Sequence, residues 1–327
     1  MMKRMKNNFK AGDGFSPRLL FLLSASLQEH IQSILPLKTE KWLITTNKNK
    51  WFVKRYASLS QLEKQMKLCA ALLESGFTQV IPFHPVSPIK LEKQIFAVMP
   101  FVQPAKKSFT FHTTAEREEA LCLLASFHHR TELFSTELTT SFPLFDQLSC
   151  WQNRLTAFQL DLPELSRYLP SAILRRCAEM GEWCLAQLAS RQLNERKPAV
   201  IHGDVAAHNF FRAANGKLYL IDFDLAARAP VICDYVQWIN RVLPLVGWHL
   251  EKLKEHSVIS TYTREKDWLL YTLFPADIFR ECRRMMHLGS AEKKLFYKHA
   301  YELTVSSFAQ REYFFRKWKK EWENQKE

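Results

Sequence analysis

Apolar residues from Leu19 to Leu23 continue through Leu27, Ile31, Ile34 and Leu35, and with Ser16 as N-cap and Pro17 at N1 they predict an opening helix. After Pro36 the texture changes. Trp42–Thr46 and Trp51–Tyr56 are aromatic and β-branched runs around a polar Asn47–Lys50 turn, the pattern of a β-hairpin. Ser58 or Ser60 then caps a helix to about Glu74, with Leu62, Met66, Cys69, Ala70 and Leu73 on one face and Gly76 as its stop. A second strand pair is expected from residues 81–85 and 95–99, and Pro100 and Pro104 bracket a stiff connection.

Beyond that connection the pattern is helical. A helix opens at Thr113 or Thr114 and carries Leu121, Leu124, Ala125, Phe127 and His128; another runs from Leu174 to Arg191, followed by a loop at residues 194–198. One segment breaks the helical period: Ala199–Asp204, a polar interval with Asn209, a turn at Asn215-Gly216, and Leu218–Asp224. Its short apolar strands end in acids, which sets carboxylates at one edge of a small ribbon. Helical spacing resumes from Val231 to Leu243 and continues to the C-terminus, where Phe314, Phe315, Trp318 and Trp322 read as core. The chain is therefore α+β, with strands concentrated in the first hundred residues.

A chain of 327 residues with 47% hydrophobic side chains and 13% aromatics has material for two packed units, and disorder, collagen and coiled coil are excluded as whole-chain readings. The 7 cysteines are scattered without a CxxC pair, so they read as reduced core residues of a cytosolic protein. No apolar run of transmembrane length occurs, and membrane insertion is not expected. Lys3, Arg4, Lys6 and Lys10 before Leu19–Ala25 copy the layout of a signal peptide, but the helical pattern running on past Ala25 favours a chain that stays in the cell that makes it. The net charge of +13 is uneven: residues 38–67 carry eight Lys and Arg against Glu40 and Glu63, while residues 111–170 are acidic. A basic face with Trp42, Trp51 and Tyr56 suits nucleic acid in principle, yet no nucleic-acid module is readable and no specific nucleic acid is expected.

Asp204 and Asn209 lie five apart, and Asp222 follows at a strand end; these are hard oxygen ligands of the kind Mg²⁺ prefers, with one carboxylate left over. Phosphoryl transfer asks for that set: positioning, charge neutralisation by metal, and a carboxylate for the attacking hydroxyl. His202, Asp204 and His208 also have the composition of a zinc or manganese cluster, a reading that leaves Asn209 and Asp222 unused. Asp234 reads either as a hydrogen-bond anchor or as an ordinary carboxylate near a helix start.

The run His202-Gly203-Asp204-Val205-Ala206-Ala207-His208-Asn209, followed by Ile221-Asp222-Phe223-Asp224, resembles the catalytic loop and metal motif of the aminoglycoside phosphotransferase and choline kinase branch of the protein-kinase-like fold. Within it, residues 268–275 and Phe127-His128 resemble the CotS-type bacterial spore coat proteins. The resemblance implies a small antiparallel-sheet N-lobe over residues 1–102 and a larger, mainly helical C-lobe over 103–327. It makes Asp204 the catalytic base, Asn209 and Asp222 the Mg²⁺ ligands, and Lys54 the strand lysine on the ATP phosphates. Glu63 is the first candidate for the acidic partner of Lys54, with Glu74 at the far helix end. Met99 to Val102 would meet adenine. Two departures stand out: no glycine lies between Leu35 and Trp42, where a phosphate-covering turn belongs, and Asp224 stands where protein kinases have glycine, which matches the small-molecule branch. The expected activity is ATP- and Mg²⁺-dependent phosphorylation of a small-molecule hydroxyl by a protein made in the cytoplasm and assembled on the spore coat with other coat proteins. The alternative is a non-catalytic coat protein that keeps the fold.

Overall fold

The structure, a computed structural model, describes residues 17–189, 197–263 and 267–324. In chain order its elements are α1 (Pro17–Leu27), β1 (Ile31–Lys38), β2 (Lys41–Thr46), β3 (Lys50–Tyr56), α2 (Leu59–Glu74), β4 (Ile89–Leu91), β5 (Gln94–Pro100), α3 (Thr114–Thr131), α4 (Thr136–Thr140), α5 (Gln147–Leu165), α6 (Ser171–Leu188), β6 (Ala199–Ile201), β7 (Phe210–Arg212), β8 (Leu218–Leu220), β9 (Ala227–Ala229), α7 (Ile232–Val242), α8 (Leu250–Lys254), α9 (Ser257–Tyr262), α10 (Trp268–Leu273), α11 (Ala276–Met286), α12 (Ser290–Tyr301) and α13 (Phe308–Asn324). They form two compact units. The first contains the residues up to Ser108 together with Phe211–Asp224; the second contains Phe109–Phe210 and the residues from Leu225 on.

The first unit is built on an antiparallel sheet in the order β1-β2-β3-β5-β4. Side chains alternate across it, so Trp42, Ile44, Trp51, Val53, Phe96 and Val98 gather on one face and bury Leu19, Leu23 and Leu27 of α1. The other face takes Tyr56 and Ala97 against Leu62 of α2. Each fully buried aliphatic or aromatic side chain here contributes on the order of 1.5–3 kcal/mol. The same period of two sends Phe52 and Lys54 away from the α1 core, which is why a lysine sits in the middle of a sheet.

Three expectations from the sequence are corrected. The opening helix stops at Leu27, Gln28 turns at φ 53°, and Ile31–Lys38 is an edge strand rather than more helix. The cause is non-local: the Glu29 carboxylate accepts from Thr46 Oγ1 at 2.5 Å, Asn49 Nδ2 at 2.7 Å and Trp51 Nε1 at 2.9 Å, tying the chain to the hairpin. Residues 81–85 form no strand; their place beside β5 is taken by β4, while His84 N still donates to Val98 O at 2.7 Å. The Leu174–Arg191 helix is α6, ending at Leu188. Ser16, Arg191 and residues 194–196 of the expected loop lie outside the described residues.

The second unit is mainly helical. Its core is aromatic: Trp151 of α5 stacks on Phe274 at 4.2 Å, and Phe158 meets Phe279 at 4.7 Å. Gly181 of α6 is required by this packing, because a Cβ there would stand 2.8 Å from the Phe279 ring. Phe314, Phe315, Trp318 and Trp322 are buried along α13. Among the described residues the cysteines are free, and no helix is long and apolar enough to cross a membrane.

Candidate active site

In the sheet unit, the hairpin register sets Lys54 of β3 directly opposite Lys41 of β2. Like charges in that position repel. Carboxylates from the end of β8 offset the repulsion: Lys54 Nζ donates to Asp222 Oδ1 at 2.8 Å and Asp224 Oδ2 at 2.9 Å, and Lys41 Nζ lies 3.6 Å from Asp222 Oδ2. Burial works against the charge of Asp222, but the Lys54 ammonium, with Lys41 behind it, outweighs that and holds the carboxyl at about 2. Asp222 also sits at φ 67°, a left-handed conformation that costs a non-glycine residue roughly 1 kcal/mol.

Helix α2 contributes Gln65, which donates to Asp224 Oδ1 and receives a long 3.5 Å contact from the Tyr56 hydroxyl. Glu63 does not reach Lys54. It is exposed, two residues from Gln65 and so about 200° around the helix from it, and Glu74 is exposed too. The acidic partners of Lys54 therefore come from the β8 end rather than from the helix, a correction of the sequence reading.

These charged groups border a cavity of about 290 Å³. Leu37, Phe52, Ile81, Phe83, Phe211 and Leu220 supply apolar walls, and Met99 and Val102 line it as well. An apolar slot with ammonium groups clustered at one place fits a flat base attached to an anionic tail. The β1–β2 turn beside it has no glycine; Glu40 adopts φ 62° instead, and the turn is fixed by Arg55 N donating to Glu40 O at 2.9 Å and by an Arg55–Glu40 ion pair. Lys41, the next residue, brings a side-chain cation where a glycine loop would offer backbone N–H groups. Sequence reasoning missed Lys41, although counting outward from the Asn47-Lys48 turn would have paired it with Lys54.

In the helical unit, β6 is fully buried and leads into residues 202–209. Asp234, 0% exposed near the start of α7, accepts from His202 N at 2.7 Å and Gly203 N at 2.9 Å and contacts His128 Nε2 at 2.9 Å. Burial opposes its ionisation; the His128 hydrogen bond and charge, the His202 charge and the Gly203 N–H outweigh burial and keep the carboxyl below its usual range. Asp234 is thus the anchor of the loop, which settles the two readings of it. Gly203 sits at φ 79°, and a Cβ would lie 2.1 Å from Leu225 O, so only glycine fits.

The anchored loop presents Asp204 and Asn209. Asn209 Nδ2 donates to Asp204 O at 2.8 Å and Oδ2 at 3.1 Å, which commits its nitrogen and leaves its carbonyl oxygen as the donor atom for a metal. Asp204 Oδ1 accepts from Arg241 Nη2 at 2.6 Å. Arg241 was not singled out in the sequence; its offset of seven from Asp234, two turns along α7, is the available signal. No cluster of three or more His, Cys, Asp or Glu that could hold a metal occurs among the described residues, so His202, Asp204 and His208 do not make a zinc site. Taken separately, the ionised Asp222 of the sheet unit and the Asn209 carbonyl of the helical unit are each hard oxygen donors of the chemical kind that suits Mg²⁺.

The chain resembles an aminoglycoside phosphotransferase from Alicyclobacillus acidocaldarius at 18% identity and TM-score 0.69, over 98% of this chain and 100% of that one. The GDP and kanamycin complex of APH(2")-IIia matches at 18% identity and TM-score 0.64 over 90% and 99%. The amicoumacin kinase hAmiN, in complex with AMP-PNP, Ca²⁺ and Ami, matches at 14% and 0.53 over 89% and 94%. These likenesses show a kinase-like fold shared with small-molecule phosphotransferases. No curated protein sequence matches the chain. The family model described as APH, phosphotransferase enzyme family, matches residues 37–248. That span is more than half of the chain and holds both the Lys54–Asp222 pair and the Asp204–Asn209 loop: the chain belongs to the APH phosphotransferase family.

Proposed function

We propose that the protein transfers the γ-phosphoryl group of ATP, with Mg²⁺, to the hydroxyl of a small molecule, and that it is made in the cytoplasm and assembled on the spore coat. The observation that carries the enzymatic reading is the pairing of Lys54 with Asp222 at 2.8 Å beside an apolar cavity of about 290 Å³. Lys54 and Lys41 bind the α- and β-phosphates, while the apolar walls near Met99 and Val102 take the base. Asp222 in the sheet unit and the Asn209 carbonyl in the helical unit are each assigned as ligands for Mg²⁺, which would neutralise phosphate charge when bound. Asp204 orients the acceptor hydroxyl and takes its proton. The coat location rests on the resemblance of residues 127–128 and 268–275 to spore coat proteins.

A second reading, a structural coat protein with little turnover, draws support from the glycine-free turn and from Lys54 having no helix carboxylate as partner. Thermal unfolding with ATP plus Mg²⁺, ATP alone and Mg²⁺ alone separates the two, since a ligand that binds the folded state raises the midpoint by mass action. A metal-dependent rise that is lost in Asp222→Asn supports the enzyme. No rise at millimolar nucleotide supports the structural protein.

A further inference from the structure

The lysine pair of the sheet unit meets two carboxylates, and these have different neighbours. Asp222 bridges Lys54 and Lys41, the same two ammonium groups that a polyphosphate would claim. Asp224 has a neutral partner as well. Its Oδ2 accepts from Lys54 Nζ at 2.9 Å while its Oδ1 accepts from Gln65 Nε2, so both oxygens are used and the carboxylate is held at two points. Gln65 is 4% exposed, on the buried stripe of α2 with Leu62, Leu68, Cys69 and Leu72. A buried amide is costly unless its polar atoms are bonded, and here Nε2 has Asp224 while Oε1 has the long 3.5 Å contact from the Tyr56 hydroxyl. The circuit closes on the lysine, because Lys54 Nζ stands 4.7 Å from the centre of the Tyr56 ring. All of these residues belong to the sheet unit.

We propose that Gln65 and Asp224 are positioning residues: Gln65 fixes Asp224, and Asp224 keeps the Lys54 ammonium in place when Asp222 turns from it to a metal. The inference deepens the reading of Lys54 as a phosphate-binding group and of Asp222 as a Mg²⁺ ligand, and rests on it. Phosphates and metals compete for charged partners, so the Lys54–Asp222 contact is the one that they draw apart. The Gln65 amide is buried and uncharged, an incoming anion gains little from it, and Asp224 stays mounted. An amide at this position also adds no third negative charge beside Asp222 and Asp224, where a helix carboxylate would repel both. Released by Asp222, Lys54 Nζ keeps one carboxylate and turns its remaining N–H bonds to phosphate oxygens.

Two measurements test this. In the first, nucleotide-free full-length protein is pulsed with acetic anhydride at fixed pH and acetylation of Lys54 is followed by peptide mass; a carboxylate in contact withholds the amine from the reagent. Asp224→Asn and the volume-conserving Gln65→Met should each raise the Lys54 rate by about three- to tenfold, the scale of a lost charge-assisted hydrogen bond. The double variant should react no faster than Asp224→Asn, because one residue acts through the other. Leu72→Ala, which empties a fully buried position on the same helix, should lower the urea midpoint and leave the Lys54 rate unchanged. In the second, ATP is titrated with and without Mg²⁺, and Gln65→Met should lose more affinity with the metal than without it, a difference that loosening of the helix alone would not produce. An unchanged Lys54 rate in Gln65→Met, a double variant faster than Asp224→Asn, an equal rise in Leu72→Ala, or equal losses with and without metal overturns the proposal. Wild-type protein that binds no nucleotide strikes the nucleotide reading and the metal step with it, while the labelling still decides whether Gln65 holds Lys54 through Asp224.

Discussion

The two halves of the candidate machinery are held by different forces. In the sheet unit, Lys41, Lys54, Asp222 and Asp224 are partly exposed side chains held by one another's charge at the edge of a cavity. In the helical unit, the loop carrying Asp204 is fixed by backbone N–H groups donating into a fully buried Asp234, with His128 behind it. The first arrangement can trade partners, because every charge in it accepts a substitute of the same sign. The second cannot, because a buried carboxylate deprived of its donors has no water to replace them. A phosphotransferase needs both: exchangeable contacts where a polyphosphate comes and goes, and a rigid mount where one oxygen must meet one hydroxyl.

The sharpest way to break this contrast is by function. Asp204→Asn should lower turnover by about 10³-fold, within the range of a lost general base, yet leave the ATP–Mg²⁺ thermal shift in place, while Asp222→Asn should abolish the shift. Variants that both bind and turn over like wild type would break the assignment of both halves. Next in size is stability. Asp234→Ala strips the loop of its buried acceptor and should lower unfolding free energy by about 3–5 kcal/mol, read as a fall in the urea midpoint at unchanged slope. Asp222→Ala, in the exchangeable half, should cost clearly less in the same titration. Smaller again is Gln65→Glu: a third carboxylate beside Asp224 and Asp222 should weaken ATP–Mg²⁺ binding roughly three- to tenfold, with partial recovery as pH falls. Tighter binding would mean that Lys54 prefers a helix carboxylate after all.

A further test concerns acid. Asp222 has its carboxyl lowered from 3.8 to about 2, so its contribution is present above pH 3.8 and is lost as pH falls toward 2. The difference is worth at most about 2.5 kcal/mol. Stability of Asp222→Asn followed by fluorescence should therefore fall less steeply across that window than wild type, and a parallel fall would show that the Lys54 pair contributes nothing to folding.

What the sequence disclosed and what it withheld follow the same division. Local patterns were legible: the hairpin around Asn47-Lys48, the opening of α3 at Thr113 or Thr114, and the buried stripe Phe314, Phe315, Trp318 and Trp322. The loop residues Asp204 and Asn209 could be found because their spacing is local. β1 was not legible, since Ile31, Ile34 and Leu35 satisfy a helical period as well as a strand; the decision lies with Gln28 at φ 53° and with donors that reach Glu29 from the hairpin. Nor was the partner of Lys54. A carboxylate at position 63 looks right on chemistry, but only the fold shows that position 65 faces inward and that Asp224, 170 residues away, is the neighbour.

The cross-strand register that sets Lys41 opposite Lys54 has one more consequence. The two cations never face solvent bare, because Asp222 and Asp224 travel with them as internal counterions. Ligand entry is therefore an ion exchange rather than the filling of an empty basic hole. Such an exchange releases few small ions to bulk, so nucleotide affinity should change little with salt despite the net charge of +13. A monovalent anion gains almost nothing by displacing a carboxylate already in place, whereas a polyphosphate can address both lysines at once. On the proposed nucleotide role, a pocket pre-neutralised in this way should discriminate against singly charged anions.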